Sequence, residues 1–192
     1  MNSNELQRLI VKETIRVCGH QERQGELHMS CLHLPDELII KYIREGNKQE
    51  EKSKSKLFQG TWAEEGMTGR LYNIFHPDGT VKASNLEINA YGGRLIGHID
   101  FLMDVDVFVE YMSFGTPEKL MIQKNTGKIP RKKYCQIQSY LLWGKFDKAF
   151  FIGEDRDEGE LWVKEIYPDH KFQSELKAKV ERLLPELEKN AA

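Results

Sequence analysis

Apolar and polar positions alternate through the middle of the chain. Within residues 81–91, Leu86, Ile88 and Ala90 are set against Glu87 and Asn89, and residues 94–102 and 105–112 continue as two further extended stretches. A period of two is the mark of strands whose successive side chains point to opposite faces. Gly92-Gly93 closes a hairpin between the first two. The pattern predicts a three-strand antiparallel meander. His98 and Asp100 share one face of its second strand, and Glu110 and Met112 share one face of its third. Val105, Val107 and Val109 point the other way and read as core.

Helical spacing occupies the flanks. Residues 4–16 carry Leu6, Leu9, Ile10, Thr14 and Ile15. Pro35 stands at a first helical turn, where its missing N–H costs nothing, and Leu38, Ile39, Tyr42 and Ile43 follow. Residues 46–56 are polar throughout and read as a linker or a solvated helix end. Leu57, Phe58, Trp62, Met67, Leu71 and Ile74 make residues 57–75 a helix that bears Glu64 and Glu65, and Asp78-Gly79 is a turn signal. Gly115-Thr116-Pro117 breaks the pattern, and residues 118–133 are rich in Lys and Arg. Pro130 opens a helix that runs to about Trp143, with Gln136 and Tyr140 four apart on one face. Residues 149–153 and 161–166 read as strands about an acidic turn. A last helix carries Phe172, Leu176, Val180, Leu183, Leu184 and Leu187.

The chain of 192 residues is read as one domain over 1–192, with an N-terminal helical part (1–56) ahead of a core over 57–192. A formal charge of -2 gives no global basic field, so nucleic-acid binding would rest on local patches. No apolar run is long enough to span a membrane. Met1-Asn2-Ser3-Asn4-Glu5 lacks the regions of a signal peptide. The three cysteines form no disulfide framework. An intracellular, cytoplasmic setting is the expectation. Cys18, His20, His28, Cys31 and His33 fit no zinc-finger spacing. A loop leading into a helix is preferred there over a zinc-dependent interaction module. No Walker loop is present.

Asp100 and Glu110 carry the candidate chemistry. Unpaired carboxylates on adjacent buried strands are costly, and a divalent cation between them would remove that cost. Carboxylates at a sheet edge in water are the other reading of the same spacing.

The order of these features resembles the PD-(D/E)XK nuclease superfamily, and more narrowly its RecB-type and lambda-exonuclease-like branch, over about residues 28–170. A helix bearing an acid after G-x-x-x precedes G-x-x-D on a strand; E-x-x on the next strand and a Q-x-x-x-Y helix follow. The resemblance implies an α/β fold with a restriction-endonuclease-like core, a mixed central sheet flanked by helices. It implies a DNA nuclease dependent on Mg²⁺ or Mn²⁺, exonucleolytic, of the kind found in phages and in recombination and repair. Asp100 and Glu110 would be metal ligands, with the Tyr111 carbonyl and Glu64 as further ones and Glu65 as the fallback. Gln136 and Tyr140 would lie near the scissile phosphate and the DNA strand. Lys128, Arg131, Lys132 and Lys133 would hold phosphates, a solvated loop being the alternative. Mg²⁺ and Mn²⁺ take oxygen ligands and keep waters; such an ion activates water and offsets developing charge.

Position 112 departs from the family, which has a lysine where this chain has Met112. The change disables the site, or a lysine from elsewhere reaches it (Lys119 and Lys124 are nearest in sequence), or the chain only binds nucleic acid on this scaffold. The reading favoured is a nuclease site with reduced or absent activity. The alternative function is a non-catalytic nucleic-acid-binding protein, and a homo-oligomer or a recombination-protein partner is left open. His98 is expected to be hydrogen-bonded in its strand. Trp143 is expected to pack in the core in preference to stacking on bases, and Tyr134 is left open to stacking. Cys135 is read as packing. With no cysteine after Cys135, an iron–sulfur cluster is not expected.

Overall fold

A computed structural model describes residues 26–45, 51–77 and 84–190, without the side chains of 51–61, 188 and 190. The expected helix over 4–16, Cys18, His20 and the Asp78-Gly79 turn lie outside these residues, as do 46–50 of the polar stretch.

The order of elements is β1 (Leu27–His28), a 3₁₀ turn (Met29–Cys31), α1 (Asp36–Glu45), α2 (Glu51–Phe75), β2 (Ser84–Ala90), β3 (Leu95–Asp104), β4 (Val107–Phe114), α3 (Pro117–Thr126), α4 (Arg131–Trp143), β5 (Lys148–Asp155), β6 (Leu161–Ile166) and α5 (His170–Asn190). The predicted meander is present as β2–β3–β4, antiparallel throughout. β4 pairs in parallel with β5, and β6 closes that side antiparallel. The parallel step needs a crossover, and α3 and α4 supply it. The result is the mixed sheet flanked by helices that the resemblance implies.

Two apolar cores lie on opposite faces of the sheet. Phe108, Phe114, Phe151, Ile137, Tyr140, Val180 and Leu183 belong to the larger, under α1, α4 and α5. Met67, Leu71, Phe101, Val109, Tyr111 and Ile152 form the smaller, under α2. Ile99 packs into the first and Phe101 into the second, although a regular strand would put them on one face. Asp100 stands where this change of face occurs.

β3 and β4 are paired from Phe101↔Val109 outward to Asp104↔Val107. On the other side of Phe101 they part. β2 holds one edge of β3 through Asn89↔Ile96 and Ala90↔Leu95. β1 pairs with the same Leu95 and Ile96, so it occupies the edge that β4 has left. The gap between β3 and β4 opens beside Asp100 and Tyr111.

Two readings are corrected, and one helix that the pattern did not show is added. Val105 lies in the β3–β4 turn and is 86% exposed, and Val107 is half-buried, so of the three valines only Val109 is core. The Gly115-Thr116-Pro117 break begins a helix, α3. Thr116 is extended, Pro117 takes the first turn, and Gly127 closes the end at φ 62° with its N–H on the Lys124 carbonyl. Its apolar stripe reduces to the buried Leu120, which leaves no period to read. Residues 51–56 are the first turns of α2, which agrees with the helix-end alternative and not with the linker.

Candidate active site

β3, β4 and α4 each place one charged side chain at the gap. Asp100 Oδ2 accepts the Tyr111 N–H at 2.7 Å. This bond replaces the backbone pairing lost where the strands separate. In an extended strand a residue's N–H and C=O leave on the same edge, so the Tyr111 carbonyl also faces the gap. Glu110 is completely buried. Lys133, from the first turn of α4, reaches between the two acids, with Nζ 2.6 Å from Glu110 Oε2 and 3.4 Å from Asp100 Oδ2. Glu110 Oε1 is buried and has no hydrogen-bond partner.

Glu64 joins the cluster electrostatically. Burial first, then the charge of Asp100, pushes its carboxyl up to about 7, with Lys133 opposing. The same two causes hold the Glu110 carboxyl well above the ordinary carboxylate range, again opposed by Lys133. Lys133 is held above the usual lysine range by Asp100 and Glu110 against its own burial. Three carboxyl groups thus crowd one ammonium, and two of them hold their protons more tightly than an ordinary carboxylate does. Glu65, the fallback, is exposed.

Lys133, Gln136 and Tyr140 form one stripe of α4. Gln136 Nε2 donates to Tyr140 Oη at 2.7 Å, and the His98 N–H reaches the same oxygen at 3.3 Å. Tyr140 is 1% exposed. Its ring lies against Gly97, where a Cβ would come within 2.4 Å of Tyr140 Cε1. The tyrosine read as a strand contact is therefore a buried brace between α4 and β3. The His98 ring stands 3.8 Å from Glu87.

On the α2 side, the Tyr111 hydroxyl donates to Glu154 Oε2 at 2.6 Å, and Arg70 holds the same carboxylate at 2.8 and 3.0 Å. This network ties β4 and β5 to the helix that carries Glu64.

Met112 is half-buried and packs on the larger core. Of the lysines named for its role, Lys124 pairs with Glu160 and Lys119 is exposed. Lys133 is the one that arrives. Sequence order hid it, since Lys133 lies 23 residues from Glu110. Its neighbours Lys128, Arg131 and Lys132 are exposed. Trp143 packs edge-to-face on Tyr91, while Tyr134 bonds Asp169 and stacks obliquely on Phe172, so both serve packing. Cys135 is buried, as expected. In the N-terminal ligand-rich stretch, His28 pairs with Glu26, and His33 donates Nδ1–H to the Ser30 carbonyl.

Among the described residues no group of three or more His, Cys, Asp or Glu side chains is placed to hold a metal ion. The donor set at the gap is of another kind: two carboxylates, one of them with an orphaned oxygen, and a main-chain carbonyl. This chemistry suits a hard cation that retains several waters. Among the described residues, no helix is long and apolar enough to cross a membrane.

No family model and no curated protein matches the chain. Solved structures do. An alkaline exonuclease (LHK-Exo) from Laribacter hongkongensis superposes with a TM-score of 0.64 at 16% identity, covering 92% of this chain and 92% of that one. The same enzyme in complex with dAMP gives 0.64 at 16% identity, covering 86% and 89%. A phage-related exonuclease from Haemophilus somnus 129PT gives 0.55 at 12% identity, covering 85% and 94%. At these identities the likeness is one of fold: this chain has the mixed α/β core that these exonucleases share.

Proposed function

We propose that the chain is a divalent-metal-dependent DNA nuclease that acts as an exonuclease. The observation that carries this is the buried, partnerless Glu110 Oε1 beside Asp100 at the point where β3 and β4 part. A buried carboxylate oxygen with no donor is expensive, and a bound cation removes the cost. The exonuclease folds, one of them seen with dAMP, support the same reading.

Asp100, Glu110 and the Tyr111 carbonyl would hold Mg²⁺ or Mn²⁺, and Glu64, which feels the charge of Asp100, would be a further ligand through a water. When bound, such an ion supplies an activated water and stabilises the charge that grows on the phosphate. The chain's own groups do the rest. Asp100 is fixed by the Tyr111 amide, and Glu110 is fixed by Lys133. Gln136 is held by Tyr140 at the edge of the site. Lys128, Arg131 and Lys132, exposed at and before the start of α4, would meet backbone phosphates.

One observation favours the non-catalytic alternative: the Lys133 ammonium already neutralises part of the acidic cluster, so the site could rest on it as a permanent counter-ion. Mn²⁺ titration by calorimetry and Mn²⁺-dependent digestion of end-labelled DNA decide the matter. Binding and cleavage, both abolished in Asp100→Ala, support the nuclease. DNA binding with neither supports the alternative.

A further inference from the structure

We infer that Lys133, carried on α4, performs at this site the work for which position 112 offers only a methionine. It is the cation that stands beside the attacking water and the scissile phosphate. The inference rests on the nuclease reading above and specifies its machinery.

Glu110 and Met112 share a face of β4, and it is the face turned to α4. A cation serving that face can come from the strand itself or from the helix packed over it. The strand offers a thioether, with no charge and no donor. The helix offers Lys133, whose ammonium lies against both carboxylates. Its placement divides the two oxygens of Glu110. Oε2 is taken by the ammonium, and Oε1 is left without a partner. Lysine and metal ion therefore need not compete for one oxygen, and the ammonium can remain when the ion binds.

The location of the lysine also needs a reason. α4 begins Arg131-Lys132-Lys133, with no acid in its first turn. Cations at a helix N-terminus oppose the macrodipole. Arg131 and Lys132 remain in water, but Lys133 turns inward to the acids.

Hydrolysis needs what this ammonium gives. The water oxygen forms a bond to phosphorus while a bridging P–O bond breaks. One proton of the water passes to solvent, and the departing alkoxide takes one up. Negative charge grows on the phosphate oxygens and on the attacking oxygen, next to three acids. A fixed cation at that point lowers the barrier by electrostatic preorganisation, an effect worth about 100- to 1000-fold for a single donor.

The test compares the parent chain, Lys133→Met, and the exchange variant Lys133→Met/Met112→Lys. Mn²⁺ binding is read by calorimetry and cleavage on end-labelled DNA. Lys133→Met is expected to bind Mn²⁺ as tightly as the parent or more tightly, and to lose about 100-fold or more in cleavage rate. The exchange variant returns the cation to the same face and is expected to recover at least about tenfold of that loss. If Lys133→Met does not fold, an exchange variant that cleaves supports the inference, and one that folds and binds Mn²⁺ but stays about 100-fold down overturns it. A folded Lys133→Met that cleaves within about threefold of the parent, or faster, overturns the inference and leaves the nuclease standing. A parent that neither binds Mn²⁺ nor cleaves removes the nuclease reading and this inference with it.

Discussion

Asp100 takes the place of a backbone acceptor for Tyr111, with its Oδ2 2.7 Å from the amide nitrogen. One side chain thus both splices the sheet where β3 and β4 separate and offers charge at the gap. The two roles can be parted. Asp100→Asn keeps an acceptor for the Tyr111 N–H but loses the charge. Asp100→Ala loses both, with a cost of about 1–3 kcal/mol for a bond to a charged group. Thermal or urea unfolding of the metal-free protein is expected to show Asp100→Ala destabilised by that amount and Asp100→Asn close to the parent. Both variants are expected to lose Mn²⁺ binding and cleavage.

Glu64 contributes, with Glu110, to the pH response of the metal-free protein. Its carboxyl is raised to about 7 by burial and by Asp100. A carboxyl raised in the folded state holds its proton more tightly there than in the unfolded chain. Its penalty is therefore full above about pH 7 and is relieved as pH falls from 7 toward the ordinary carboxylate value. With a chelator present, stability is expected to rise on going from pH 8 to pH 5.5. Glu64→Gln is expected to reduce that rise, with Glu110 supplying what remains, and to stabilise the protein at pH 8 by about 1–3 kcal/mol. Mn²⁺ in place of the chelator is expected to remove most of the parent's pH dependence. An unfolding series that ran the opposite way would place Glu64 outside the acidic cluster.

Much of this arrangement was legible in the sequence. Alternation gave the meander, and with it the neighbouring strands that carry Asp100 and Glu110. The i, i+4 spacing put Gln136 and Tyr140 on one face. What escaped the reading had no period to betray it. β1 is two residues long, and α3 buries Leu120 alone, so its ends at Pro117 and Gly127 were the signal available. Val105 looked like core by alternation, but the chain turns there. Lys133 was read as one of a basic run, because spacing along a chain does not say which lysine of a helix turns inward. That depends on how α4 lies over β4, a tertiary fact.

Tyr111 serves the gap between β3 and β4 with its main chain and the α2 face of the sheet with its side chain. Its hydroxyl joins Glu154 and Arg70, whereas its carbonyl faces the gap. Tyr111→Phe removes one hydrogen bond to a carboxylate that Arg70 still holds. It is expected to cost about 1–2 kcal/mol in unfolding experiments, while Mn²⁺ affinity and cleavage stay within about threefold of the parent. A loss of metal binding in this variant would mean that the hydroxyl network, and not the carbonyl, positions the site.

Gly97 is the space into which Tyr140 fits. A Cβ there would meet Tyr140 Cε1 at 2.4 Å and Met29 Sδ at 2.8 Å, both inside a packed core. Gly97→Ala is expected to destabilise the protein by about 1–3 kcal/mol, as overpacking does. It would also displace α4, which carries Lys133 and Gln136, so cleavage should fall more than the loss of folded protein accounts for. Tyr140→Phe makes the matched control. It keeps the ring and removes the oxygen shared by Gln136 and His98, and is expected to cost about 1 kcal/mol. Measured together, the pair separates the ring's part in seating the helix from the hydroxyl's part in fixing Gln136. Equal effects from the two would show that the ring contact does not set the position of α4.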